Sequence, residues 1–572
     1  MRLNVTKSKN AASLYVVKSV YNSKTQSNSS KIVEKLGTEA ELRVKLNGAD
    51  PYEWAKKYIE ELNQKEKEGN RDVLVKYSPS KVIAKDEQRS FNGGYLFLQQ
   101  IYHELKLNKL CAEISRKYKF TFDLDSILSR LLYSRIIYPS SKLATFQLSS
   151  RFIEQPNFEL QHIYRALEVL AKETDLIQSS LYNNSLKISK RNTGVLYYDC
   201  TNYFFEIEQE EGLKQYGPSK EHKPNPIVQM GMFMDGDGIP LAFSINKGNT
   251  NEQLTLKPLE EKILSDFDLS KFIVCTDAGL ASSSNRKFNS KGDRAYITTQ
   301  SIKKLKKHLM EWALDPTGWS FADDIVTYDI TMLDEKKDWD KIFYKERWIK
   351  ENGLEEKIVV TYSMKYRDYQ RNIRNSQIER AQKAIASSSI HLKKCNPNDY
   401  KRFIEKSHYT ADGEAAEHET YSINVELISK EAAFDGFYAV CTNLEDDASE
   451  IIKVNRRRWE IEECFRIMKS EFRARPVYLS RDDRIEAHFT TCFIALVIYR
   501  LLEKRLKEKY TCHEIINGLR DMNFLEVKGE GYVPCYTRTD FTDDLHEAFG
   551  FHTDYQIVTT KQMKKIFKIT KS

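Results

Sequence analysis

Of the 82 Asp and Glu residues in the chain, three stand apart because of their local surroundings. Asp199 lies inside an apolar, strand-like run, LYYDCTNYFF, where a charge is costly unless it is paired or binds a cation. Asp277 closes the apolar run FIVCTD and is followed by Ala278 and Gly279. That is the carboxyl edge of a buried strand, where α/β sheets build their sites. Glu462 lies in NRRRWEIEECFRIMKSEF. Read as one helix from Arg458 at zero, Glu462 falls at about 40°, Lys469 at about 20° and Asn455 at about 60°, a narrow polar stripe. Val454, Ile461, Cys464, Phe465, Met468 and Phe472 form the adjoining apolar face, while Glu460 and Glu463 point elsewhere. The chemistry that needs three convergent carboxylates is phosphoryl transfer assisted by divalent cations. Hard ions such as Mg²⁺ prefer oxygen ligands, and two of them about 3.5 to 4 Å apart stabilise both the attacking and the leaving oxygen.

Around Glu462 the chain is basic. Between Lys453 and Arg475 there are eight Lys and Arg against four Glu, with Trp459 and Phe465 interleaved. A charge-rich helix is usually a solvated face. Here Arg458 and Lys469 share the stripe with Glu462, a placement suited to phosphate contacts. Arg466 stands four residues after Glu462, the spacing of a helix-surface ion pair. Elsewhere the plain readings prevail. Asp235 and Asp237 in MDGDGIP are expected in a turn, Asp446 and Asp447 in a solvated loop, and Trp312 and Trp319 in a packed core.

These residues need a scaffold, and the elements can be read in order. Residues 1–45 hold two β-rich runs, Tyr15 to Val20 and Lys31 to Leu36, joined by the polar stretch NSKTQSNSS as a hairpin. Residues 46–190 read as helical: Pro51 sits at a first helical position after Asp50, and DSILSRLLYSRIIYP ends at Pro139. From Gly194 the texture becomes three strands, then a helix, then the buried strand ending at Asp277, with AYITTQ as a further strand. This order argues for an α/β core over 191–300. Residues 301–450 read as a mixed, β-rich insertion, 451–510 as helical again, and 511–572 as a tail of low information. Phe489 to Leu502 is the most apolar run; it is shorter than the roughly 20 residues of a bilayer span and is expected to be a core helix.

The whole composition is globular. The 572 residues are 41% hydrophobic and 30% charged, and 89 basic minus 82 acidic residues gives +7, which permits a polyanionic partner. Nine cysteines contain no C-x-x-C pair, so neither a zinc ribbon nor a disulfide framework is expected. The opening MRLNVTKSKN has no apolar h-region, so the expected location is the cytoplasm, without a membrane.

The residues resemble the DDE transposases of bacterial insertion sequences, in the branch with a Y-x2-R-x3-E-x6-K signature and a long insertion before the glutamate. Arg458, Glu462 and Lys469 match that spacing, and Asn455 stands where the tyrosine would be. Asp199-Cys200-Thr201, Tyr216 to Lys220 running into HKPNPIVQMG, TDAG at 276–279 and the stretch from Arg475 look like the same family, over about 190–505. The resemblance implies an RNase H-like catalytic core, with Asp199 on its first strand, Asp277 after its fourth and Glu462 on a later helix. Asp199 and Asp277 are 78 positions apart and Asp277 and Glu462 are 185 apart, so the core is expected to be interrupted by the β-rich insertion between mainly helical end regions. It further implies two Mg²⁺ or Mn²⁺ ions on Asp199, Asp277 and Glu462. DNA contacts are expected from the helical region 46–190 and from Arg458, Lys469, Asn455, Trp459 and Arg466, and a homodimer is expected to hold element ends and target DNA in the bacterial nucleoid. The implied reaction is cut-and-paste transposition. A nuclease of the same fold without strand transfer, and a catalytically silent DNA-binding descendant, are the other readings.

Overall fold

The apolar runs that begin at Val195 become strands of a single nine-stranded sheet in the larger of two units. The computed structural model describes the chain except residues 9–10, 23–26, 69–72, 76, 323, 352, 388–398 and 410–417. The larger unit comprises Ile101–Ser150 and Pro156–Ile516, and the smaller comprises Met1–Gln100, Arg151–Gln155 and Asn517–Ser572.

In the larger unit the strands are β1 (Val195–Phe204), β2 (Ile227–Asp235), β3 (Pro240–Lys247), β4 (Ile273–Thr276), β5 (Ala295–Thr299), β6 (Ser320–Phe321), β7 (Phe343–Glu351), β8 (Leu354–Tyr362) and β9 (Phe437–Thr442). Their order across the sheet is β6-β7-β8-β9-β5-β4-β1-β2-β3. β1, β2 and β3 form an antiparallel meander, whereas β4 pairs parallel to β1 and β5 parallel to β4. The order 3-2-1-4-5 with the second strand reversed is an RNase H-like core. The insertion begins after β5, and its strands continue the same sheet: β9 returns to pair antiparallel with β5, and β8, β7 and β6 follow outwards. Its core gathers around the fully buried Trp319 with Phe343, Ile358, Val360 and Tyr362, and Trp312 packs at its margin, so both tryptophans are packing residues. The insertion also carries helix α2 (Met364–Ala386) and a hairpin of Ile404–Tyr409 with His418–Ile423.

The two faces of β1 have different partners because side chains alternate across a strand. Tyr198 and Cys200 enter an apolar cluster with Leu259 and Ile263 of helix α1 (Leu256–Asp266). Tyr197, Thr201 and Tyr203 take the other face, which meets helix α3 (Ala448–Arg456), helix α4 (Trp459–Arg466) and the π-helical turn Ile467–Glu471. There the Tyr197 hydroxyl donates to the Val454 carbonyl at 2.7 Å, and the Tyr203 hydroxyl lies 3.8 Å from Met468 Sδ. Helix α5 (Asp482–Arg505) follows. It is buried almost throughout, packing Phe489 on Tyr203 and Phe493 on Phe243, the core helix that its apolar run predicts.

The smaller unit contains the N-terminal strands. The expected two-stranded hairpin has a third strand: Arg2–Lys7 pairs with Ala12–Asn22, which pairs with Ser27–Thr38. Part of the polar connection, residues 23–26, lies outside the described residues. Met1 to Lys7 alternates Leu3 and Val5 with polar residues, a period-2 signal short enough to be overlooked beside the longer runs. Both apolar residues pack against Leu14 and Leu42. Pro51–Glu68 is helical, with the Asp50 carboxylate accepting from the Tyr52 amide at 3.0 Å. The C-terminal tail is ordered. Asn523–Val527 pairs with both Ser90–Asn92 and Gly531–Pro534, and helix α6 (Asp540–Phe549) sets Phe549 edge-on to Phe97.

Candidate active site

Asp199 and Asp277 meet because their strands are neighbours. In the parallel β1–β4 pair Tyr197 is level with Cys275. Asp199 lies two residues beyond Tyr197 and Asp277 two beyond Cys275, just past the end of β4, and the two carboxylates are close enough for Asp277 to act on Asp199. Asp199 Oδ1 accepts the Cys200 amide at 2.8 Å, and Asp277 Oδ1 accepts the Leu280 amide at 3.1 Å. A side chain at Gly279 would bring its Cβ within 3.3 Å of Asp277 Oδ1, so the glycine leaves that carboxylate room. Burial pushes the Asp199 carboxyl up to about 6; Lys220 and Arg458 oppose the shift and Asp277 reinforces it. A half-buried carboxylate beside a second one is a site that favours a cation.

The cations around this pair are specific. Lys220 donates to the Cys200 carbonyl and lies 3.4 Å from Glu252. Burial works against its charge, but Asp199 and Glu252 hold its pKa above the usual lysine value. Lys469 reaches down from the π-helical turn: its Nζ donates to Thr201 Oγ1 at 2.5 Å and lies 3.8 Å from Glu221, which Arg475 also pairs. Burial lowers the Lys469 pKa to about 8, with Lys220 adding to the effect. Lys220, Glu221 and Glu252 were not singled out from sequence as site residues. The signal available was the polar stretch from Tyr216 that interrupts the strands β1 and β2.

Glu462 lies on α4, the helix on the Asp199 face of the sheet, and its Oε1 is 3.3 Å from Arg458 Nη2. Its side chain is 58% exposed. Together with Asn455, Arg458, Trp459, Tyr366 and Tyr438 it lines a cavity of about 550 Å³ between α2, β9 and α4 that neither aspartate lines. Arg458 is therefore the common neighbour: it pairs Glu462 and also acts on Asp199. Among the described residues, the three carboxylates do not gather their oxygens within 4.8 Å of one another.

The helical wheel needs correction. Asn455 lies in the last turn of α3, the chain turns at Arg457 and Arg458, and Lys469 falls in the π-helical turn, so the four polar residues do not share one continuous stripe. Asn455 is buried, and its amide donates to the Tyr438 hydroxyl at 3.2 Å. Arg466 pairs with Glu463, where the spacing had suggested Glu462, because Glu462 is already taken by Arg458. Trp459 is 61% exposed at the start of α4. Asp235 is buried, accepts the Asp237 and Ile239 amides and pairs with Arg191, which makes it a turn residue as expected. Asp447 caps α3 by accepting the Ser449 amide at 2.7 Å.

Residues 204–498, just over half of the chain, match the family described as Transposase DDE domain. The match includes Asp277 and Glu462 and begins five residues after Asp199. No curated protein matches the chain in sequence. Among solved structures the chain is similar to one titled "Cryo-EM structure of piggyBac transposase synaptic complex with hairpin DNA", at 9% identity over 83% of this chain and 84% of that one, with a TM-score of 0.36.

Proposed function

The chain belongs to the Transposase DDE domain family, and from that premise we propose that it is a cut-and-paste transposase that cleaves the ends of its element and joins each freed 3′-hydroxyl to target DNA. The observation that supports this reading is the parallel pairing of β1 and β4, which brings Asp199 and Asp277 close enough to interact, on the sheet face that meets the helix bearing Glu462. The donor set fits Mg²⁺ or Mn²⁺: every candidate ligand is a carboxylate, and Asp199 is a half-buried one that desolvation and Asp277 make costly to charge. Asp199 and Asp277 would hold the ions, and Glu462 would join them on exchanging its Arg458 pair for metal. Bound there, two ions supply Lewis acidity for an in-line displacement at phosphorus.

The chain's own cations perform the positioning. Arg458, Lys220 and Lys469 present positive charge beside the carboxylates, where it can hold the bridging phosphates of double-stranded DNA without reading sequence. Exposed Trp459 and Arg466 extend that surface along α4. The substrates are the terminal repeats of the element and a target duplex, and a homodimer serves the two ends.

The test is a strand-transfer assay with labelled DNA carrying the repeats that flank the gene. The parent with Mg²⁺ should yield both cut and joined products, and Asp199→Asn should lose both by at least about 100-fold while still binding DNA. Cutting without joining would favour a nuclease of the same fold, and equal activity of parent and variant would remove Asp199 from the mechanism.

A further inference from the structure

In the smaller unit, helix α6 ends at Gly550, whose φ of 70° lets the chain turn back along the helix. The turn brings His552 and Asp554 to His546, and the ligand atoms of the three side chains all lie within 4.8 Å of one another. Asp554 Oδ1 is 3.1 Å from His552 Nδ1 and 3.9 Å from His546 Nδ1, and the two imidazole rings are 5.2 Å apart. His546 is 1% exposed, and its Nδ1 is a buried polar atom with no hydrogen-bond partner. At 3.9 Å the Asp554 oxygen is too far to accept from it. Leaving such an atom unpaired costs about 1 to 3 kcal/mol, and native structures rarely do so without a reason.

We propose that His546, His552 and Asp554 form a zinc site, separate from the carboxylates of the catalytic centre, that clips residues 552–554 to α6. Two imidazoles and one carboxylate are a zinc donor set. With bonds of about 2.0 to 2.2 Å, tetrahedral ligands lie about 3.3 to 3.6 Å apart; the two Asp554 separations of 3.1 and 3.9 Å bracket that range, and the two imidazole nitrogens lie within 4.8 Å of each other. When His546 Nδ1 binds the ion, the ring proton moves to Nε2. Thr553 Oγ1, 3.0 Å away, accepts it, and the 3.2 Å contact from the Thr553 amide to Nε2 is given up. Arg538 lies 3.7 Å from the other Asp554 oxygen but 2.6 Å from Asp543, so it has an anion of its own. His552 is exposed, which leaves the fourth position open to water.

The two classes of site separate by ion preference, since the oxygen-only set selects Mg²⁺ and the imidazoles select zinc. The full-length protein, stripped with chelator, is titrated with Zn²⁺ against a competing chromophoric chelator in buffer holding excess Mg²⁺. The expected result is tight binding that survives in Asp199→Asn but weakens by at least about 10-fold in His552→Ala and in Asp554→Asn. Co²⁺ should give the intense visible absorption of a four-coordinate site. His552 is on the surface, so its removal should leave the circular dichroism unchanged. Parent-like Zn²⁺ affinity in His552→Ala, loss of binding in Asp199→Asn, or a weak six-coordinate Co²⁺ spectrum would each overturn the proposal.

Discussion

Glu462 and Glu460 are two residues apart on one short helix and do opposite things. Glu460 is 6% exposed and is held by Arg457 at 3.0 Å and Arg500 at 3.1 Å, so it is committed to the fold. Among the described residues Glu462 has a single ion pair, on a mostly exposed side chain, and such pairs contribute about 0 to 1 kcal/mol. A residue that contributes little to stability, lies on the face above Asp199 and shares a cation with it is free to take a ligand. Glu462→Gln should therefore leave the denaturation midpoint close to that of the parent and reduce strand transfer by at least about 100-fold. Melting curves and the joining assay on the same preparation check this. A variant that unfolds readily would make Glu462 a structural residue, and one that joins DNA normally would exclude it from the reaction.

The helix that carries Glu462 is positioned by its neighbours more than by its own sequence. Arg500, from the buried helix α5, donates through Nε to the Gly238 carbonyl at 2.8 Å and through Nη2 to Glu460, tying α4 to the β2–β3 turn. Gly238 has a φ of 78°, and a Cβ there would fall 2.0 Å from Glu460 Oε2, so the turn must be glycine for the pair to form. Arg500→Met removes one partner of a buried pair and should cost about 3 kcal/mol in denaturant unfolding, whereas Glu462→Gln should not. An Arg500→Met protein as stable as the parent would mean that this tie does not hold the helix. Legibility follows the same division. Asp199 and Asp277 stand out in the sequence as candidates because each is a lone charge in an apolar run, a local property. The turn at Arg457 and the π-helical turn at Ile467–Glu471 do not, since no proline or glycine marks them and they accompany contacts such as Lys469 to Thr201, made far away in sequence. For the same reason the strand Phe437–Thr442 was visible, but its pairing with Ala295–Thr299 was not. Neither was the pairing of Asn523–Val527 with Ser90–Asn92, which draws the supposed tail into the fold of the N-terminal unit.

At the scale of the molecule, one chain has one Asp199, one Asp277 and one Glu462 in its RNase H-like core, while an element has two ends. If two copies of the chain each serve one end, a complex needs both copies intact to join both ends. If one chain serves the ends in turn, it does not. The two arrangements give different arithmetic when parent and Asp199→Asn are mixed in equal amounts before DNA is added. Random pairing leaves about one quarter of dimers with two competent sites, so double-end joining should fall to about one quarter of the parent's value. A chain acting alone would retain about half. Single-end joining is the internal control, because it needs only one competent copy at that end and should fall to about half in either case. The comparison requires that the variant compete for DNA as well as the parent does. That is expected because the proposed phosphate contacts of Arg458, Lys469 and their neighbours are left in place by the substitution, and a band shift at matched salt verifies it. A double-end yield near one half would retire the dimer, whereas a yield near one quarter would assign each end to its own subunit.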